Sequence, residues 1–200
     1  ARAAPRERMS VAAIAHEVLS GIRERGTHRQ MRVLSGAQGP RMRVDGREVL
    51  LFAGSNYLDL AQHPELVEAA ARAARTHGCA AGGSRLISGN LELHEALEAE
   101  LASFFGCEAA LCFSSGYMAN LGVIPALAGA GDLVLSDELC HASIIDACRL
   151  SRAEVRVFRH ADLDALESSL RAAASEARRT LVAVDGVYSM DGDIAPLAEL

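Results

Sequence analysis

The 200-residue chain contains no lysine and no tryptophan. All 20 of its basic residues are arginine, so chemistry that requires a lysine amine cannot be completed by these residues alone. Aromatics are scarce, at 4% of positions, and no arginine-rich block is interleaved with them. With 26 acidic residues the formal net charge is -6, opposite in sign to a phosphate-backbone binder, so nucleic acid is not an expected partner. No apolar run approaches the roughly 20 residues of a membrane helix, so a soluble protein without a membrane partner is expected. The five cysteines (Cys79, Cys107, Cys112, Cys140 and Cys148) are odd in number and form no CxxC pair. No apolar signal-peptide core opens the chain, and together these features lead us to expect a reducing, cytoplasmic location. The first residue is not Met, and Pro196 begins a helical pattern just before Leu200. We therefore expect the N-terminal part of a longer protein.

Half of the residues are hydrophobic, enough to build a core at this length. Val11, Ile14, Ala15, Val18 and Ile22 recur at helical spacing and predict a helix over 11–25. Arg41–Val44 and Glu48–Phe52 flank Asp45-Gly46 and read as a hairpin. Residues 1–50 are thus expected to form an N-terminal helix and hairpin arm, and 51–200 the first part of a larger domain. Pro64 opens a helix carrying Leu66, Val67, Ala70 and Ala74, and Asn90 is placed to cap another carrying Leu93, Leu97, Leu101 and Phe105. Four apolar runs follow, at Ala109–Phe113, Leu133–Leu135, Val155–Phe158 and Leu181–Val184, each succeeded by a helical pattern. Parallel strands need long, usually helical crossovers, so this alternation predicts an α/β fold with a mostly parallel sheet covered by helices on both faces. Pro125 is expected to kink or split the helix after Gly116.

Three post-strand segments carry candidate chemistry. Phe113-Ser114-Ser115-Gly116-Tyr117 turns a strand into a helix, where free N–H groups and the helix dipole suit a phosphate, although an ordinary tight turn has the same shape. His141 follows a strand and Asp137, where an imidazole can stack on a flat ring, move protons, or simply cap the next helix. In Val187-Tyr188-Ser189-Met190-Asp191-Gly192-Asp193 the Asp-x-Asp pattern suits magnesium, but an ordinary turn followed by a helix start is the preferred reading. The Gly-rich run Gly82–Gly89 follows a helix rather than a strand, so it reads as a shaped loop, able to line a cleft, and not as a dinucleotide fingerprint. His77 and Cys79, like Cys140 and His141, lack the further ligands of a zinc site, and no metal is expected.

Taken together, Ser55-Asn56-Tyr57-Leu58, Gly82-Gly83-Ser84-Arg85-Leu86-Ile87-Ser88-Gly89-Asn90, Leu93-His94-Glu95-Ala96-Leu97-Glu98, Phe113–Tyr117, His141-Ala142-Ser143 and Tyr188–Asp193 resemble the α-oxoamine synthases over about residues 10–200. The resemblance implies the type I, aspartate aminotransferase-like fold, pyridoxal 5'-phosphate (PLP) as cofactor, and a homodimer. It implies decarboxylative condensation of an amino acid with an acyl thioester, here L-alanine with pimeloyl-CoA or pimeloyl-acyl-carrier protein. By the same resemblance Gly116, Tyr117 and Ser189 hold the cofactor. His141 stacks on its ring, assists proton transfer and contacts substrate, and Arg29 binds substrate. On its residues alone Arg29 also reads as a solvated helix-end side chain. The family's Schiff-base lysine and ring-nitrogen aspartate are not in the matching segments, and Asp185 stands where relatives usually have Glu. Ser55 and Asp59 depart from an Asn and a Gly common in the family. A sister activity, a non-catalytic protein on this fold, and a nucleotide-binding α/β domain are the rival expectations.

Overall fold

A computed structural model describes residues 10–200; the first nine residues of the expected arm lie outside the described residues. The chain divides into two compact units, residues 1–82 and 83–200.

In the first unit, Ser10 caps helix α1 (Val11–Glu24), its Oγ accepting the Ala13 N–H at 3.1 Å. Strands β1 (Leu34–Ser35), β2 (Arg41–Val44) and β3 (Arg47–Leu50) form an antiparallel sheet in that order. The β2–β3 turn is Asp45-Gly46, both at positive φ (48° and 78°), the backbone that a two-residue hairpin requires and that Asp-Gly tolerates. The ladder ends at Leu50 rather than Phe52, and β1 is a third strand that periodicity did not predict. Its two residues are too few to show an alternation. Helix α2 (Pro64–His77) starts at Pro64 as expected. A cleft of about 280 Å³ is lined by Pro40, Leu51, Phe52, Asn56 and Tyr57, among others.

The second unit opens with a π-helical turn, Arg85–Gly89, and helix α3 (Glu92–Phe105). Gly89 is obligatory for close approach: a Cβ there would lie 1.9 Å from the Gly83 carbonyl oxygen. Asn90 does not cap α3. Its amide instead accepts from Arg85 Nε at 2.8 Å and donates to Glu95 at 2.5 Å, and the Leu91 N–H is taken by His94 Nδ1. Residues 109–113, expected as a strand, join no ladder among the described residues. The Cys112 N–H goes to Glu98 Oε1 at 2.6 Å. An apolar run predicts burial but cannot supply the neighbouring strand on which a ladder depends.

Helix α4 (Gly116–Leu127) runs through Pro125. The proline sits in the last turn with only Ala126 and Leu127 after it, so the lost N–H and the ring's crowding of the Leu121 carbonyl fall at the helix end and do not split the helix. Then β4 (Leu133–Asp137), α5 (Ala142–Ser151), β5 (Glu154–Phe158), α6 (Leu163–Ala173) and β6 (Thr180–Ala183) alternate, and the strands pair in parallel in the order β5-β4-β6. Every residue of β4 is buried. Strand alternation splits its side chains: Val134 packs with Ile124 of α4, with Ala128 just past its end, and with Ile144 and Ala147 of α5, while Leu133 and Leu135 pack with Leu166 and Ala173 of α6. Helices therefore cover both faces of a parallel sheet, as expected. At the amino end of β4, Arg178 and Arg179 pair with the buried Asp132, whose carboxyl is held down at about 2, first by the Gly129 N–H and then by these arginines. Because Leu135 has no exposed surface, Leu135→Ala should lower the unfolding free energy by about 2–5 kcal/mol, read as a lower urea midpoint at unchanged slope.

Candidate active site at the carboxyl ends of the strands

Ligand sites of open α/β sheets lie beyond the carboxyl ends of the strands. Here three loops gather there, 137–141 after β4, 158–162 after β5 and 184–194 after β6. One buried carboxylate joins them. Asp137, the last residue of β4, accepts the Leu139 N–H at 2.8 Å, the Ala161 N–H at 2.9 Å and His160 Nδ1 at 3.0 Å, and it also takes the Tyr188 hydroxyl. Burial pushes its carboxyl up, but these four bonds outweigh burial and leave it below the usual range.

His141 caps α5. Its Nδ1 accepts the Ser143 N–H at 3.2 Å and lies 2.7 Å from Ser143 Oγ, which itself accepts from Asn120 Nδ2 at 2.8 Å. Because Nδ1 accepts that N–H it carries no proton, so the Ser143 hydroxyl donates to the ring while its oxygen accepts from Asn120. Nδ1 is then an acceptor twice over, which fits the neutral tautomer with its proton on Nε2. The residue is exposed, so that proton is accessible. Capping and chemistry are therefore compatible: one nitrogen is committed to the helix and the other is left over. The His141 backbone N–H donates to Asp185 Oδ2 at 2.7 Å.

Ser115 caps α4, accepting the Met118 N–H at 3.2 Å. Ahead of it the N–H groups of Gly116 and Tyr117 find no acceptor among the described residues, and they lie at the positive end of the helix dipole. A Cβ on Gly116 would meet nothing within 4 Å, so this backbone is open to approach. The Tyr117 ring stands edge-on to His141 with centroids 6.3 Å apart. Its hydroxyl donates to Asp146 of α5, which, with some desolvation, raises the phenol above its ordinary value. The packing of α4 on α5 thus brings Gly116, Tyr117 and His141 together.

Ser189 is exposed in a loop closed by the Val187–Ile194 bridge and by hydrogen bonds from the Tyr188 N–H to the Asp193 carbonyl (2.9 Å) and from the Gly192 N–H to the Tyr188 carbonyl (2.7 Å). Asp191-Gly192 lies in a turn, but the helix start expected after it is absent among the described residues, where Ile194 bridges Val187 instead, and the Asp193 carboxylate faces His160 Nε2 at 2.5 Å. Arg29 belongs to the first compact unit, exposed in the irregular segment after α1. In the Gly-rich segment, Arg85 makes a bidentate pair with Glu98 at 2.5 and 2.8 Å. That pair, and then the Cys112 N–H, hold Glu98 at about 2. Sequence reasoning missed His160, Asp146 and the Glu98 pairing. His160 alone had a usable signal, since it stands two residues after the Val155–Phe158 run, in a post-strand position like that of His141.

With this geometry in hand, the class is a PLP-type α/β enzyme fold, its polar loops at the carboxyl ends of a parallel sheet. Residues 47–200 match the profile described as aminotransferase class I and II, and the chain belongs to that family, on its α-oxoamine synthase branch. The 8-amino-7-oxononanoate synthase of Geobacter sulfurreducens is 53% identical over 182 residues, covering 91% of this chain and 46% of the relative. The serine palmitoyltransferase of S. paucimobilis, solved with bound PLP–myriocin, is 34% identical with a TM-score of 0.84 over 96% of this chain and 49% of its own. The 8-amino-7-oxononanoate synthase of Francisella tularensis is 30% identical with a TM-score of 0.61 over 74% and 40%. The chain spans about half the length of the curated relatives it matches.

Two outcomes follow from the charges. Asp146→Asn should lower the Tyr117 titration toward the ordinary phenol value, seen as an earlier tyrosinate absorbance step in a pH titration. His160 is raised from 6.5 to about 9, first by Asp193 and then by Asp137. A raised folded-state value means stability that is full below the unfolded pKa and lost as pH climbs through the folded one. The melting temperature should therefore fall as pH rises from 6.5 through about 9, and His160→Gln should flatten that slope.

Proposed function

We propose that the chain forms the first part of a PLP-dependent acyltransferase that condenses L-alanine with a pimeloyl thioester, giving 8-amino-7-oxononanoate for biotin synthesis, as a cytoplasmic homodimer. Residues 1–50 serve as an arm and 51–200 begin the cofactor-binding domain. The observation that carries this reading is the convergence of an open helix amino terminus at Gly116-Tyr117 with an imidazole whose Nε2 proton is accessible. That donor set suits a phosphorylated flat ring: the Gly116 and Tyr117 N–H groups would hold the phosphate, the His141 ring would stack on the pyridine, and Ser189 would contact the cofactor. PLP, when bound, supplies the electron sink that stabilises the α-carbanion of the amino acid. His141 Nε2 holds or moves a proton near that carbon and contacts substrate, while Arg29 takes a substrate carboxylate. The anchoring amine comes from outside these 200 residues, since none is lysine.

The likeness to serine palmitoyltransferase supports a second reading within the family, in which serine or glycine replaces alanine, as in serine palmitoyltransferase, 5-aminolevulinate synthase or 2-amino-3-ketobutyrate ligase. Turnover by the full-length protein separates the two. Alanine with pimeloyl-CoA or pimeloyl-acyl-carrier protein should exceed glycine by at least about tenfold in kcat/KM, the scale on which one methyl group is discriminated. A preference for glycine or serine overturns the biotin reading. His141→Asn should lower kcat by about 10²–10⁴, the usual contribution of a positioned proton donor or acceptor. Failure of the full-length protein to develop visible cofactor absorbance on adding PLP would overturn the enzyme reading in favour of a non-catalytic protein.

A further inference from the structure

His160 has no part in the reading just given, yet it is among the most heavily bonded side chains at this end of the sheet. Its Nδ1 lies 3.0 and 3.1 Å from the two oxygens of Asp137, and its Nε2 lies 2.5 Å from Asp193. The Tyr188 ring packs edge-on against it with centroids 4.4 Å apart, and that hydroxyl also reaches Asp137. The His160 N–H donates to Glu138 Oε1 at 2.9 Å. Both ring nitrogens thus face carboxylates, an arrangement that calls for the doubly protonated imidazolium. Asp137 and Tyr188 are each 2% exposed, so neither can relocate cheaply.

The consequence concerns Ser189. Tyr188 precedes it by one residue and Asp193 follows it by four, and both side chains end on this one imidazole–carboxylate pair. Among the described residues the loop's only ladder contact is the Val187–Ile194 bridge. The position of the exposed serine is therefore set by anchors on either side of it rather than by its own contacts.

Resting on the cofactor reading above, we infer that His160, bracketed by the carboxylates of Asp137 and Asp193, is a positioning residue that fixes the Ser189 loop on the central strand and thereby sets cofactor affinity. It touches neither cofactor nor substrate. Its influence passes through Ser189, so removing that hydroxyl should silence it.

The test is a double-mutant cycle on the full-length protein, read as the PLP dissociation constant from equilibrium fluorescence. S189A and H160Q should each weaken PLP binding by about tenfold, while H160Q added to S189A should weaken it by less than about twofold more, the non-additivity of coupled sites. D193N changes an exposed side chain and keeps an acceptor for the imidazole. It should behave like H160Q, with a smaller effect, and it carries the cycle if H160Q does not fold. An equal loss in both backgrounds would overturn the inference, because a general structural defect does not depend on the serine hydroxyl. If S189A leaves PLP binding unchanged, the Ser189 assignment and this inference fall together while the enzyme reading stands. If the unmutated protein binds no PLP, the cofactor reading itself falls.

Discussion

A single buried carboxylate, Asp137, holds the working end of the sheet together. It ends the central strand, and its oxygens are spent on the backbone of its own loop, on the backbone of the loop after β5, on the His160 imidazole and on the Tyr188 hydroxyl of the loop after β6. Taking a carboxylate out of water is costly unless each lone pair is met by a donor. That requirement turns an electrostatic necessity into a geometric one. The donors come from three separate stretches of chain, so satisfying the charge also fixes the loops relative to one another.

The groups at the site depend on this frame in different ways. Gly116 and Tyr117 contribute backbone N–H groups, and their direction follows from helix α4 and its Ser115 cap. His141 contributes a side chain whose tautomer is chosen by the Ser143 N–H of α5. The packing of α4 on α5, driven by Ile124, Ala128, Ile144 and Ala147, therefore does more than bury apolar surface. It also delivers the Asn120 hydrogen bond to Ser143, the residue whose N–H and hydroxyl meet His141 Nδ1. Asp185 adds a link between the β4 and β6 loops by taking the His141 amide. In the Gly-rich segment all three guanidinium nitrogens of Arg85 donate, to Asn90 and to both oxygens of Glu98, so its positive charge braces a turn.

Much of this frame was legible in the residues. Pro64, the Asp45-Gly46 turn, the apolar spacing of α1 and the strand–helix alternation from Leu133 to Ala183 are local signals, and the elements they predict stand where expected. Departures occur where a distant partner decides. Asn90 had the chemistry of a cap but met Arg85 and Glu95 first. The run 109–113 had strand composition, yet the Cys112 amide found a carboxylate on α3 instead of a strand. Asp193 looked like half of a metal-binding pair or a plain turn residue until His160, 33 positions earlier, was seen against it.

The sequence by itself determined the α/β alternation, the resemblance to PLP enzymes through short fixed motifs, and the impossibility of a lysine-dependent step within these residues. Periodicity, turn chemistry and composition are properties of neighbouring residues, which is why they can be read along the chain. Only the tertiary structure decided which carboxylate serves which imidazole, which nitrogen of His141 is free, and that three loops share one anchor. Apart from the Ser143 N–H on His141, the bonds that fix these outcomes join residues 23 to 44 positions apart, and a directional bond of that kind has no signature until folding brings donor and acceptor within about 3 Å.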